Sequence, residues 1–320
     1  MHMNKRLLLM VCIVISAISA FSCSDTSYEL LDVERFYELT RYEEDNITTC
    51  IFFTDPHINK QGNQFDRYLK ALEDSYYSVP LEFCICGGDW LNNNDTIEQA
   101  CDKLRFIDGY TYRVFNEHYY PVLGNHDTNY QGRKDDYSDP NTGTLSHETI
   151  VDLMFNRQGN SYYSFDGERA RFFIFDTGID WFPQMDDFKW EQIHWFAREL
   201  QANKFNNNVI VMHIYTIDEN TPTIFAGWIM DVIDAYNHKR VISLDEIDYD
   251  FSSSEGTVSC ALCGHCHTDF IDRTYSIPVV GTTHLKWGDI PTYDLCIFNW
   301  EKKVLNLIRV GAGSDRVVQL

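Results

Sequence analysis

An α/β fold is predicted for this 320-residue chain by three observations. Short apolar, β-rich runs alternate along the chain with stretches of helical period. Hydrophobic residues make up 44% and aromatics 15%, enough for a large buried core. No internal repeat, low-complexity run or Pro/Gly-rich linker divides the chain, so a single domain is read from residue 46 to residue 320.

In order, the expected strands are Ile47–Thr54, Leu81–Cys86, Tyr120–Leu123, Tyr162–Asp166, Ala170–Asp176, Val209–Met212, Val258–Cys263, Asp269–Arg273, Tyr293–Asn299 and Val304–Val310. The expected helices are Gln64–Tyr76, Thr96–Glu117, Asp187–Asn203 and Pro222–His238. Asp95 or Thr96 can cap the second, and Phe188, Ile193, Phe196 and Leu200 line one face of the third. Tyr130–Ser146 and His238–Gly256 are polar and aperiodic, and are read as long loops, either functional or simply solvated.

The N-terminus carries Lys5-Arg6, an apolar run from Leu7 to Phe21, then Ser22-Cys23, the layout of an export signal over residues 1–22. The run is short of the about 20 apolar residues a membrane-spanning helix needs. Cys23 directly after Ala20-Phe21-Ser22 resembles a bacterial lipoprotein signal, although Phe21 departs from the usual small residue. A lipidated Cys23, a tether or lead-in helix over residues 23–45, and a periplasmic or outer-membrane-anchored location are therefore expected. The formal charge is −22, which disfavours nucleic acid or anionic membranes as partners and leaves a lipid at Cys23 as the only expected membrane contact. Clustered carboxylates of the same chain can still attract divalent cations.

Ten cysteines in an exported chain invite a disulfide reading, but their placement opposes it. Cys50, Cys84, Cys86, Cys260, Cys263 and Cys296 lie in strand-like runs, where a free thiol packs as a small hydrophobe. Cys260, Cys263 and Cys266 have the spacing that opens an iron–sulfur or zinc motif, yet Phe270 stands where a fourth cysteine would fall. Buried thiols are the expectation.

Chemistry concentrates at the strand ends, where side chains of α/β sheets converge on ligands. Ile51–Thr54 is followed by Asp55-Pro56-His57, and Phe83–Cys86 by Gly87-Gly88-Asp89. Pro121–Leu123 is followed by Gly124-Asn125-His126-Asp127, Val209–Met212 by His213, and Cys260–Cys263 by Gly264-His265-Cys266-His267. Each block alone could be a turn or a surface histidine. Together they supply the oxygen and nitrogen donors that hold divalent metals.

The order of the five blocks resembles that of the calcineurin-like metallophosphoesterases. Ser161–Phe165 before Arg171–Asp176 is similar to that family's central hairpin, and Trp190–Phe196 to the helix before its fourth block. The resemblance implies a four-layer α/β/β/α sandwich of two mixed sheets flanked by helices, with a dinuclear metal centre at the strand C-terminal ends. Carried over by residue, Asp55, His57 and His267 would hold one metal, Asn125, His213 and His265 the other, and Asp89 would bridge both. A carboxylate has two oxygens for two cations, and the neutral Asn125 leaves its ion more positive charge. An extended backbone through Gly-His-Cys-His would put His265 and His267 on one side and Cys266 on the other. Gly88, Gly124 and Gly264 would let backbone approach the ions closely.

The implied activity is metal-dependent hydrolysis of a phosphate ester, monoester or diester, by a bridging hydroxide, with Mn, Fe, Zn, Co or Ni as the ions. His126 would protonate the leaving oxygen or stabilise the transition state, and Asp127 would orient or tune His126. The substrate would be a small-molecule, glycan or lipid phosphate ester. A nuclease on the same scaffold and a surface-anchored binding protein with a non-catalytic metal site are the alternatives. Ile214 and Tyr215 depart from the His-Pro that often follows the fourth-block histidine, leaving His213 as the sole candidate there. His118, His147, His194, His238 and His284 match no block; His147 and His284 lie where loops could reach the site but are read as surface residues. Substrate choice is expected to lie in Asn92–Asp95, Tyr130–Ser146, His238–Gly256 and around Trp287.

Overall fold

The computed structural model describes residues 32–41, 46–58, 63–93, 95–130, 143–178, 186–218, 221–287 and 290–320. The expected export signal, Cys23 and most of the expected Tyr130–Ser146 loop lie outside the described residues. The first half contains α1 (Val33–Thr40), β1 (Ile47–Phe53), α2 (Asn63–Ser78), β2 (Phe83–Cys86), α3 (Ile97–Phe115), β3 (Tyr119–Pro121), a 3-10 turn (Asn125–Thr128) and α4 (His147–Met154). There follow β4 (Tyr163–Asp166), β5 (Arg171–Phe175), α5 (Asp186–Ala202), β6 (Asn207–Met212), β7 (Thr216–Asp218), β8 (Thr221–Pro222) and α6 (Ile224–Asn237). The remainder comprises β9 (Val241–Leu244), β10 (Ile247–Asp250), β11 (Thr257–Cys263), β12 (Phe270–Asp272), β13 (Val279–Gly281), β14 (Lys286–Trp287), β15 (Ile290–Pro291), β16 (Tyr293–Asn299), β17 (Val304–Val310) and β18 (Arg316–Gln319).

Two mixed six-stranded sheets form the centre, one ordered β18-β17-β16-β1-β2-β3 and the other β12-β13-β11-β6-β5-β4. In the first, β1, β2 and β3 run parallel and the C-terminal strands antiparallel. In the second, β5, β6, β11 and β13 are parallel, with antiparallel edges at β4 and β12. Strands covered on both faces read as unbroken apolar runs, and Cys50–Phe53 of β1 and the whole of β2 do so.

The period of two along β5 explains how the layers stack. Phe172 and Ile174 enter the core between the sheets, whereas Phe173 and Phe175 pack against the outer helices. Phe172 meets Phe83 and Phe298 of the facing sheet with ring centroids 5.0 and 5.9 Å apart. On the far side Phe175 meets Phe196 of α5 and Phe225 of α6. Helix α2 covers the first sheet, its Ser75 and Ala71 meeting the buried Tyr293 hydroxyl. The result is the four-layer sandwich the sequence implied.

One local expectation is corrected, and two neighbouring segments gain detail. His238–Gly256 is no irregular loop but holds the β9–β10 hairpin, which seats Tyr249 and Phe251 among the helix residues of the second core. Its two-residue turn, Asp245-Glu246, adopts positive φ (45° and 64°), the geometry usually signalled by Asn-Gly. Residues 147–154, adjoining the other aperiodic stretch, form α4, capped by the Ser146 hydroxyl. In the lead-in, α1 buries Phe36 in the core. All eight described cysteines are free, and seven are buried; burial pushes the thiols of Cys50, Cys84, Cys86 and Cys263 well above their ordinary pKa. Among the described residues no helix is long and apolar enough to cross a membrane.

Candidate metal centre

The C-terminal ends of β1, β2 and β3 in one sheet and of β6 and β11 in the other point to the same rim. Asp55 and His57 follow β1, Asp89 follows β2, Asn125 opens the 3-10 turn after β3, His213 follows β6, and His265 and His267 follow β11. The structure brings the donor atoms of Asp55, His57, Asp89, His213, His265 and His267 together. Asp55, His57 and His267 form one group, Asp89, His213 and His265 a second, and His57, Asp89 and His126 a third; within each, the donor atoms lie within 4.8 Å of one another. Nε2 of His57 and Nε2 of His267 are 3.0 Å apart, and Asp55 Oδ1 is 3.1 Å from His267 Nε2. Asp89 Oδ2 lies 3.2 Å from His213 Nε2 and 3.8 Å from His57 Nε2, so one carboxylate spans both groups.

The backbone sets which ring nitrogen faces the cluster. His57 Nδ1 lies 3.0 Å from Leu91 O, and His213 Nδ1 lies 2.6 Å from Gly87 O. A carbonyl can only accept, so each Nδ1 carries the proton and donates. Each Nε2 is thereby turned inward, the arrangement that orients metal-ligating histidines. Asp55 and His213 are fully buried and Asp89 is 1% exposed. Asn125 Oδ1 and His213 Nε2 are buried with no hydrogen bond. Burial alone would push the His213 imidazole down, but the Asp89 and Asp55 carboxylates outweigh it and hold its pKa at about 10. Burial likewise pulls Asp89 upward, and His213 reverses the direction. These inward donors around two buried negative charges fit a pair of cations.

Five of these residues have left-handed backbones: Asp55 (φ 53°), His57 (41°), Asp89 (61°), His265 (69°) and His267 (55°). This corrects the extended backbone expected through Gly264–His267. The strain of non-glycine residues at positive φ persists only where surrounding contacts over-determine it. Here Asp55 N–H donates to Gly88 O, His57 N–H to Asp89 O, and His265 N–H to Asp55 Oδ2, each at 3.0 Å. The His57 carbonyl accepts from Asn92 Nδ2 and Lys286 Nζ. Cys266 turns its sulfur to the Thr216 hydroxyl, 3.1 Å away, and belongs to none of the donor groups. The approach is closest at two glycines. A Cβ on Gly124 would fall 2.2 Å from Asp89 Oδ1, and one on Gly264 2.0 Å from Thr54 Oγ1.

His126 donates its backbone N–H to Asp89 Oδ1 (2.8 Å) and presents a side chain that is 34% exposed, its ring edge-on to His57. Asp127 bonds to backbone. Its two oxygens accept the backbone N–H groups of Asp89, Leu91 and Gly124, which fastens the second block to the third. Burial and then the Asp89 charge push the Asp127 carboxyl up to about 7.

Of the histidines outside the blocks, His118 and His238 are exposed, and His194 bonds the Tyr249 hydroxyl. His147 faces Ser161 Oγ and Asp176 Oδ2 and joins no donor group. His284 is no surface residue; its ring centroid is 4.9 Å from that of His267. From the sequence it lies near a loop that could reach the site but reads as surface, although Val279-Val280-Gly281 followed by Thr282-Thr283-His284 repeats the run-then-imidazole form of the other strand ends.

Two sheets closing on carboxylate, imidazole and amide donors define the metallophosphoesterase class of fold. The sequence model of calcineurin-like phosphoesterases matches residues 48–269, and the chain belongs to that family. Membership makes it a phosphoesterase by class. A dimetal phosphatase from Danio rerio is similar in fold at 11% identity, with a TM-score of 0.58 over 86% of this chain and 99% of that one. The phosphopantetheinyl hydrolase of Mycobacterium tuberculosis aligns at 15% identity, with a TM-score of 0.42 over 74% of this chain and 90% of its own. No curated protein sequence matches this chain significantly.

Proposed function

We propose that the chain hydrolyses a small phosphate ester at a two-cation centre held by Asp55, His57 and His267 on one side, Asn125, His213 and His265 on the other, and Asp89 between them. The observation that carries this reading is the pair of buried carboxylates, Asp55 and Asp89, each among inward-facing imidazole nitrogens. When bound, such cations supply positive charge to phosphoryl oxygens and lower the pKa of water to the neutral range. The protein's own groups do the rest. The carbonyls of Leu91 and Gly87 fix the tautomers of His57 and His213, and the buried Asp89 holds both halves in register. His126, partly exposed and tethered through its N–H to Asp89, is placed to hand a proton to the leaving oxygen. The family membership supports the reaction class. The net charge of −22 supports a small ester over nucleic acid. Lys5-Arg6, the apolar run Leu7–Phe21 and Cys23 support reading the chain as an anchored, extracytoplasmic enzyme.

The test is hydrolysis of p-nitrophenyl phosphate and bis-p-nitrophenyl phosphate by chelator-stripped protein, with and without Mn²⁺. Turnover that returns with the metal is expected, and the faster compound distinguishes monoester from diester chemistry. His126→Ala should lower turnover at least tenfold while two metals per chain remain bound. A chain that binds no metal would overturn the reading in favour of a non-catalytic protein.

A further inference from the structure

Asp176-Thr177-Gly178, directly after β5, belongs to none of the five sequence blocks, and Asp176 joins none of the three donor groups. All three residues are buried, Asp176 and Thr177 completely. The segment is fastened from two helices. Asp176 N–H donates to Gln192 Oε1 of α5 at 2.9 Å, and Gln192 Nε2 donates back to Asp176 O at 3.0 Å. Asp176 Oδ2 accepts the Ser161 hydroxyl at 2.6 Å and lies 3.2 Å from His147 Nε2, at the start of α4.

From this fixed base the segment reaches two blocks at once. Thr177 Oγ1 accepts the N–H of Ile214, the residue after His213, at 2.8 Å. Gly178 lies against the backbone of Gly124, the residue before Asn125; an added Cβ would meet Gly124 C and O at 3.0 Å. His213 and Asn125 are candidates for the same cation, and His213 Nε2 and Asn125 Oδ1 are both buried with no hydrogen bond. The other half of the site rests on different contacts. There Asp55 N–H donates to Gly88 O, and the Thr283 hydroxyl donates to His267 O.

We propose that Thr177 is a positioning residue for the second cation, the one assigned to Asn125, His213 and His265, and that Asp176-Thr177-Gly178 sets the affinity for that cation separately from the first. The inference rests on the two-cation reading above. Valine at 177 keeps the shape of threonine but leaves the Ile214 N–H without its acceptor in a buried place. The backbone there must shift to find another partner, and it carries His213 with it. Groups that hold a metal ligand from behind typically contribute a factor of about 10–100 in metal affinity.

The experiment titrates Mn²⁺ into the chelator-stripped full chain by calorimetry, for the wild type, Thr177→Val, Thr177→Ser, Gly178→Ala and Asn125→Ala, with cooperative thermal unfolding confirmed for each. Asn125→Ala marks which binding step belongs to the second cation. Thr177→Val should weaken that step about tenfold or more and leave the other unchanged. Thr177→Ser, which keeps the hydroxyl, should restore most of the loss. Gly178→Ala presses on the Asn125 side and should weaken the same step, which carries the test alone if Thr177→Val does not fold. Equal weakening of both steps would overturn the proposal, by making the segment a general support of the fold. Two unchanged steps, or weakening of the first cation's step alone, would overturn it as well. If the wild type takes up fewer than two Mn²⁺, the two-cation reading itself falls, a result distinct from silent substitutions at 177 and 178.

Discussion

Asp127 lies beneath the backbone of Asp89. Its Oδ2 accepts the N–H of Asp89 at 3.0 Å and of Gly124 at 2.9 Å, and its Oδ1 accepts the N–H of Leu91 at 3.1 Å. One buried carboxylate thus joins two loops that carry the bridging candidate and the amide candidate of the metal centre. Its contribution is structural before it is chemical. Asp127→Ala strands three buried N–H groups at about 1 kcal/mol or more each, so unfolding free energy should drop by about 3 kcal/mol or more. Urea denaturation measures this, and metal content should fall with it. A variant of wild-type stability with reduced kcat alone would restore the view that Asp127 acts on His126.

Gly124 makes the opposite kind of contribution, by what it lacks. A methyl group there would sit 2.2 Å from Asp89 Oδ1, so Gly124→Ala must displace the bridging carboxylate or the turn that carries Asn125. Metal content by mass spectrometry should fall at least tenfold. Gly109 is the internal control: it lies exposed in α3 with nothing within 4 Å of an added Cβ. Gly109→Ala should stabilise the fold by about 0.5–1 kcal/mol and leave metal binding untouched. If both variants behaved alike, the close approach at Gly124 would have no functional weight.

The contrast between these glycines shows where sequence reasoning reaches. The runs Cys50–Phe53, Phe83–Cys86 and Cys260–Cys263 announced buried parallel strands, and the polar residues directly after them converge in space because parallel strands end on the same rim. The inner strand β13 and the edge strand β18, three and four residues long, were too short to register. The left-handed backbones of Asp55, His57, Asp89, His265 and His267 were not read from the sequence: Asp and His tolerate positive φ better than most residues, but tertiary hydrogen bonds decide which of them adopt it. His284 was read as surface for a related reason. Its place depends on Thr283 and Leu285 bonding to loops far away in sequence.

Arg309 links the C-terminal sheet to the loop behind His267. Its guanidinium, 2% exposed, donates to Asp294 Oδ1 at 2.9 Å and to Asp269 Oδ1 at 2.6 Å, while Arg316 donates to Asp294 Oδ2 at 2.6 Å. Asp294 is fully buried, so removing one of its two cations leaves charge uncompensated in the core. Arg309→Met should cost about 3–5 kcal/mol in urea unfolding. It should also weaken metal binding, because Asp269 accepts the Thr283 N–H and stands two residues from His267. A loss below about 0.5 kcal/mol, the range of surface substitutions, would show that Arg316 alone suffices.

A pH test separates a second carboxylate, Asp272, from the metal chemistry. Its Oδ2 accepts the Tyr215 hydroxyl at 2.8 Å, and its Oδ1 accepts the Thr274 N–H at 2.8 Å and hydroxyl at 2.6 Å. Burial raises the Asp272 pKa, but these hydrogen bonds outweigh it and hold the carboxyl below its ordinary value. A carboxyl lower in the folded than in the unfolded chain contributes stability that is present above the unfolded value, about 3.9, and is lost as pH falls through the folded one. The wild type should therefore exceed Asp272→Asn in urea midpoint at pH 7, with the gap narrowing progressively below about pH 4. Tyr215→Phe removes one of the three donors and should reduce that gap while leaving its direction unchanged. A gap that stays constant down to the lowest pH at which the protein is folded would assign the effect to packing and not to the ionised carboxylate.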